Sequence, residues 1–123
     1  MTKLLNQSLS NKVLGMAFSV HNILGVGLLE SAYQGAYVVE LKQTGIPYEV
    51  QKTYPLYYKG ELVGAYVADL VVDNSIIIEL KSVKTLNPIM EAQLLNYLKI
   101  SDIRIGYLIN FNSLRLQYKR FVV

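Results

Sequence analysis

Asp69-Leu70-Val71-Val72-Asp73-Asn74-Ser75-Ile76-Ile77-Ile78-Glu79-Leu80-Lys81 is the stretch on which the reading of this chain turns. An apolar run from Tyr66 to Val72, a polar turn at Asp73, Asn74 and Ser75, and a second apolar run from Ile76 to Leu80 predict a β-hairpin. Side chains alternate along strands, which puts Asp69 on the face of Val67 and Val71, and Glu79 with Lys81 on the face of Ile77. A three-residue loop pairs Val72 with Ile76 and sets Asp69 opposite Glu79, with Cβ atoms roughly 4.5–5.5 Å apart. A two-residue loop would place the two carboxylates on opposite faces. In the first register the like charges repel unless something positive sits between them, either Lys81 or a divalent cation that both carboxylates bind. A salt-bridged strand end in solvent is the bland alternative.

Length and composition bound the rest. The 123 residues make one domain, 1–123, large enough to remove roughly two-thirds of the unfolded surface from water. Hydrophobic residues form 52% and charged residues 17% of the chain, an apolar excess that leads us to expect a homodimer. There is no cysteine and a single histidine, so disulfides and thiolate metal sites are excluded and any metal must be held by oxygen. The net charge of +3 permits a phosphate-bearing partner without demonstrating one. The longest uncharged run, Val13 to Leu29, contains Ser19, His21, Asn22 and three glycines. It is too polar and short for a membrane span and lacks a clear signal cleavage site, so a cytoplasmic protein without membrane attachment is expected.

Along the chain, Ser10-Asn11 is the expected cap of a first helix over Asn11–Leu24, ended by Gly25-Val26-Gly27. A second helix over Leu28–Thr44 stops at Gly45 and Pro47. On it Glu30, Tyr33, Gln34, Tyr37 and Leu41 form one stripe, where a carboxylate is either a first-turn anion on the helix dipole or something functional. Strands Tyr48–Tyr58, Leu62–Val72 and Ile76–Leu80 form a meander, with Pro55 marking an edge or a bulge. Asn87-Pro88 opens a helix to Ser101 that stacks Gln93 and Tyr97 on one face, as a polar pair aimed inward or as mutual hydrogen-bond partners. Strands Arg104–Phe111 and Leu114–Val123 follow. The order ααβββαββ is α+β, or a mixed α/β sheet if the strand after the last helix pairs in parallel. His21, the tyrosines Tyr54, Tyr57 and Tyr58, and the scattered basic residues read first as structural groups, with phosphate contact or base stacking as the functional alternative.

Four motifs in order carry a resemblance to a known family. Gly27-Leu28-Leu29-Glu30-Ser31-Ala32-Tyr33 matches the motif of the GxxExxY protein family, and Asp69, then Glu79-Leu80-Lys81, then Gln93 with Tyr97 resemble the PD-(D/E)xK nuclease superfamily. The resemblance covers nearly the whole chain from about Asn11. It implies a restriction-endonuclease-like core and a magnesium site, with manganese able to substitute, on Asp69, Glu79 and the Leu80 carbonyl. Glu30 would complete that site directly or through water. It further implies phosphodiester hydrolysis in nucleic acid, DNA ahead of RNA, in which Lys81 orients the attacking water and offsets charge, Gln93 binds water or phosphate, and Tyr97 braces it. Ala68 stands where the motif's name has proline, a position that supplies no ligand. The alternative from another class is a catalytically silent nuclease-fold module that self-associates or binds a partner.

Overall fold

The computed structural model of the protein describes residues 6–123. Two helices, α1 (Gln7–Leu24) and α2 (Glu30–Thr44), precede β1 (Tyr48–Tyr58), β2 (Glu61–Val72) and β3 (Ile76–Lys81). Then come α3 (Pro88–Ser101), β4 (Ile105–Asn110) and β5 (Gln117–Val122), giving the order ααβββαββ. The five strands form one sheet in sequence order. All neighbours are antiparallel except β3 and β4, which run parallel and are joined by α3. A parallel pair needs such a crossover, so the sheet is mixed for a physical reason.

Three layers result. Helices α1 and α2 cover one face through Val13, Ala17, Val20, Tyr33, Tyr37 and Leu41, packed on Leu70, Ile76, Ile78, Tyr107 and Ile109. Helix α3 covers the other through Leu94 and Leu98 on Ala68, Val71, Ile77 and Leu108. Strand β3 is covered on both faces, and Ile76 to Leu80 are buried without interruption. Strands β1 and β2, with 11 and 12 residues against six in β3, run on together beyond it as a two-stranded ribbon. Near its end Tyr57, Tyr58, Leu62 and Val63 are exposed.

Some boundaries differ from those the sequence suggests. Helix α1 starts before Ser10-Asn11: Ser10 is buried inside it, its N–H bonded to the Asn6 carbonyl, and Asn6 occupies the cap position with φ 49°. Leu9 packs against the core and extends the apolar stripe by a turn, which displaces the start. Helix α2 begins at Glu30, not Leu28, because Leu29 is extended (φ −74°, ψ 155°). Strands β4 and β5 are shorter than Arg104–Phe111 and Leu114–Val123, since Asn110 Oδ1 accepts the Asn112 N–H and turns the chain out of the sheet. Asn87 does cap α3, accepting from the Met90 N–H at 3.0 Å with Pro88 in the first turn. Pro55 lies on edge strand β1, next to a register shift between Leu56 and Tyr57.

Gly106 sets how closely α3 approaches the sheet. A Cβ there would stand 3.0–3.1 Å from Leu94 and Leu98 side-chain carbons. Gly106→Ala is therefore expected to push α3 outward and destabilise the protein by ~1–3 kcal/mol in urea denaturation.

Candidate functional site

The β2–β3 turn decides the register. Asp73 and Asn74 both take left-handed conformations (φ 52° and 48°), which these two residue types tolerate, and the Asp73 N–H donates to the Pro47 carbonyl at 2.7 Å. The loop therefore has three residues, and Val72 pairs with Ile76, Val71 with Ile77 and Leu70 with Ile78. There the ladder stops. At the next position the Asp69 side chain takes over from the backbone: its Oδ2 accepts the Leu80 N–H at 2.8 Å. The Asp69 N–H reaches Glu79 Oε2 only at 3.4 Å, a weak contact. The two carboxylates thus become neighbours where β2 parts from β3.

Strict alternation along β2 does not survive this point. Tyr66 and Ala68 pack on the α3 side, Leu70 on the α1–α2 side and Val71 again on the α3 side, so the pattern slips by one residue around Asp69. Opposite the slip, Gln51 of β1 has φ 52°, a value strands avoid. Neither the slip nor the role of Gln51 can be read from apolar periodicity, which assumes an unbroken pleat.

Glu79 is 6% exposed, and its Oε1 is buried with no hydrogen-bond partner. Burial, and after it the Asp69 carboxylate beside it, pushes the Glu79 carboxyl from 4.5 up to about 9, with Lys81 pulling the other way. An orphaned carboxylate oxygen next to a second carboxylate is a site deficient in positive charge. It fits a hard divalent cation, which takes oxygen ligands and retains waters.

One cavity of about 140 Å³ is lined by Glu30, Val67, Asp69, Glu79, Lys81, Met90, Gln93, Leu94 and Tyr97. The six side chains of the motifs, Glu30, Asp69, Glu79, Lys81, Gln93 and Tyr97, therefore border the same space, whereas His21, Tyr54, Tyr57 and Tyr58 do not. Among the described residues no three His, Cys, Asp or Glu side chains are grouped closely enough to hold a metal by themselves. Glu30 thus stands on the wall of the cavity and not within a three-carboxylate cluster. Gln93 and Tyr97, one turn apart on α3, both line this cavity. The Tyr97 hydroxyl is raised above its ordinary range by burial and then by the charges of Glu79 and Asp69, which keeps it protonated as a donor.

Each wall is braced. Tyr33 Oη donates to the Gly25 carbonyl at 2.6 Å and accepts the Leu28 N–H at 3.3 Å, closing the Gly25–Gly27 corner (φ 70° and 93°) that delivers Glu30. Asn112 Oδ1 accepts the Gly27 N–H, and the Ser82 hydroxyl donates to the Leu28 carbonyl, tying that corner to the ends of β4 and β3. Asn110, fully buried, bonds both the N–H and the carbonyl of Val83, as well as Gln117, and so fixes the chain leaving Lys81. Helix α3 is held by a stack of three rings: Tyr97 on Tyr66 at 3.7 Å and Tyr66 on Tyr54 at 5.2 Å between centroids. Tyr66 Oη also donates to the Tyr97 carbonyl at 2.7 Å. Tyr54 is therefore a packing residue, while Tyr57 and Tyr58 remain exposed. His21 is likewise structural, its Nε2 lying 2.7 Å from the Ser113 carbonyl. Gln51, Asn110 and Ser82 have no signature in the sequence, because isolated polar residues carry no spacing signal.

The family model of the PD-(D/E)XK nuclease superfamily matches residues 7–121. The structure is similar to the crystal structure of SSO0001, with a TM-score of 0.53 and 14% sequence identity over 95% of this chain and 78% of that one. At that identity the likeness is one of fold. No curated protein gives a match. A family match that runs from α1 to β5 and takes in every wall of the cavity leads to one conclusion: the chain belongs to the PD-(D/E)XK nuclease superfamily.

Proposed function

We propose that the protein is a magnesium-dependent nuclease that hydrolyses phosphodiester bonds, DNA ahead of RNA, and that within its superfamily it is of the GxxExxY type. The observation that carries this reading is the unpartnered, buried Glu79 Oε1 beside Asp69. Asp69 and Glu79 would hold the cation together with the Leu80 carbonyl, and Glu30, outside any three-carboxylate cluster, would reach it through water. When bound, such a cation supplies Lewis acidity toward a phosphate oxygen and acidifies a water nucleophile. Lys81 Nζ donates a hydrogen bond to the attacking water and sets positive charge beside the phosphate as negative charge builds. Gln93 donates its amide N–H to a phosphate oxygen, and the protonated Tyr97 hydroxyl braces the same wall. Family membership points to nucleic acid as the partner class. No helix among the described residues is long and apolar enough to cross a membrane.

A second reading, a silent module that self-associates, is favoured by the exposed apolar side chains at the end of the ribbon. The two readings separate on catalysis. With Mg²⁺ or Mn²⁺ the pure protein is expected to cleave one or more of single-stranded, duplex and branched DNA or RNA. Asp69→Ala and Glu79→Ala should abolish cleavage, and Lys81→Ala should slow it by roughly 10²–10³-fold, with circular dichroism unchanged. No cleavage of any of these substrates with either metal would leave the binding module as the better account.

The raised Glu79 carboxyl also predicts a pH dependence. The folded state binds a proton that the unfolded state releases above about 4.5, so this contribution to stability is complete below that pH and is lost as pH rises toward about 9. In chelator the melting temperature should fall across this window, and Glu79→Gln should flatten the fall. Added Mg²⁺ should raise the melting temperature more at pH 8.5 than at pH 6, because it competes with the proton for the same oxygens.

A further inference from the structure

Gln51 is the residue of β1 with positive φ, and it lies where the β1–β2 ladder passes from Val50–Leu70 to Lys52–Ala68. A side chain bearing a Cβ is costly in that conformation and persists there only when its surroundings over-determine it. The surroundings are explicit. Gln51 Nε2 donates to Asp69 Oδ1 at 3.2 Å and to Gln34 Oε1 at 2.7 Å. Since Asp69 Oδ2 already takes the Leu80 N–H, donors from β1 and β3 grip the two oxygens of one carboxylate and fix its plane. Both Asp69 oxygens act as acceptors, so Gln51 presents its NH₂ group to Asp69, and Gln34 presents its oxygen to the same NH₂. Gln34 lies one turn beyond Glu30 on the same helix. An amide chain therefore joins α2 to the carboxylate.

We infer that Gln51 is a positioning residue for Asp69, held in a strained conformation by that contact, and that Gln34 fixes its amide. This rests on the reading of Asp69 as a metal ligand. Partners of ligating carboxylates govern metal affinity, and their loss lowers it roughly 10–100-fold.

Gln51→Gly separates this role from a merely structural one, because glycine relieves the strained φ while removing the amide. In chelator its melting temperature should rise by ~2–6 °C. Its Mn²⁺ affinity, measured by calorimetry on the full chain, should fall roughly 10–100-fold. In cleavage assays kcat should drop while KM changes little. Gln34→Ala, which leaves β1 untouched, should weaken Mn²⁺ binding by a smaller factor, and it carries the test if Gln51→Gly does not fold. Stability and affinity falling together in Gln51→Gly would mark a structural residue and overturn the assignment. So would wild-type Mn²⁺ affinity in either variant, with the metal reading left standing. A wild-type protein that binds no Mn²⁺ would remove the metal reading and the inference together.

Discussion

Two acidic side chains meet at the point where one pair of strands stops being a pair. Asp69 supplies an oxygen to the Leu80 N–H that the backbone of β2 no longer reaches, and in doing so it comes alongside Glu79. Burial and like charge both work against ionising Glu79. A fold that keeps such a pair must either hold a proton there or accommodate a cation, and Lys81 on the same cavity wall offsets the repulsion only in part.

Much of the remaining structure is a frame for that meeting. The Asp73–Asn74 turn sets the register, the Tyr33-braced corner delivers Glu30, and the tyrosine stack seats the helix that bears Gln93 and Tyr97. These supports are hydrogen bonds and ring contacts between elements far apart in sequence, so the cavity forms only once both faces of the sheet are covered. The parallel β3–β4 pair contributes in the same way: its crossover is α3, and α3 is the wall opposite the carboxylates.

The sequence made the element order and the central register legible because both rest on local signals. Apolar runs of period two, a three-residue polar loop and an Asn-Pro helix start each act within a few residues. The motif residues Glu30, Asp69, Glu79, Lys81, Gln93 and Tyr97 could be named, and the structure gathers them around one cavity. What stayed hidden depends on contacts across the fold. The slip in alternation at Asp69 and the strained Gln51 come from strands parting, which no single-strand pattern encodes. Asn110 looks like one more strand-end asparagine until its buried amide is seen to clasp Val83 and Gln117. The early start of α1 has no local signal, because a serine that resembles a cap is packed inside the helix.

The outer half of the β1–β2 ribbon has no third strand beside it and little side-chain cover. Two-stranded ribbons of this kind are marginal in water, so its amides belong to a separate opening unit from those of β3. Deuterium will enter Tyr57 and Leu62 through local fraying, while Ile77 and Ile78 exchange only when the whole molecule opens. The protein thus carries two clocks in one sheet, a fast one at the free end of the ribbon and a slow one in β3 beside the carboxylates.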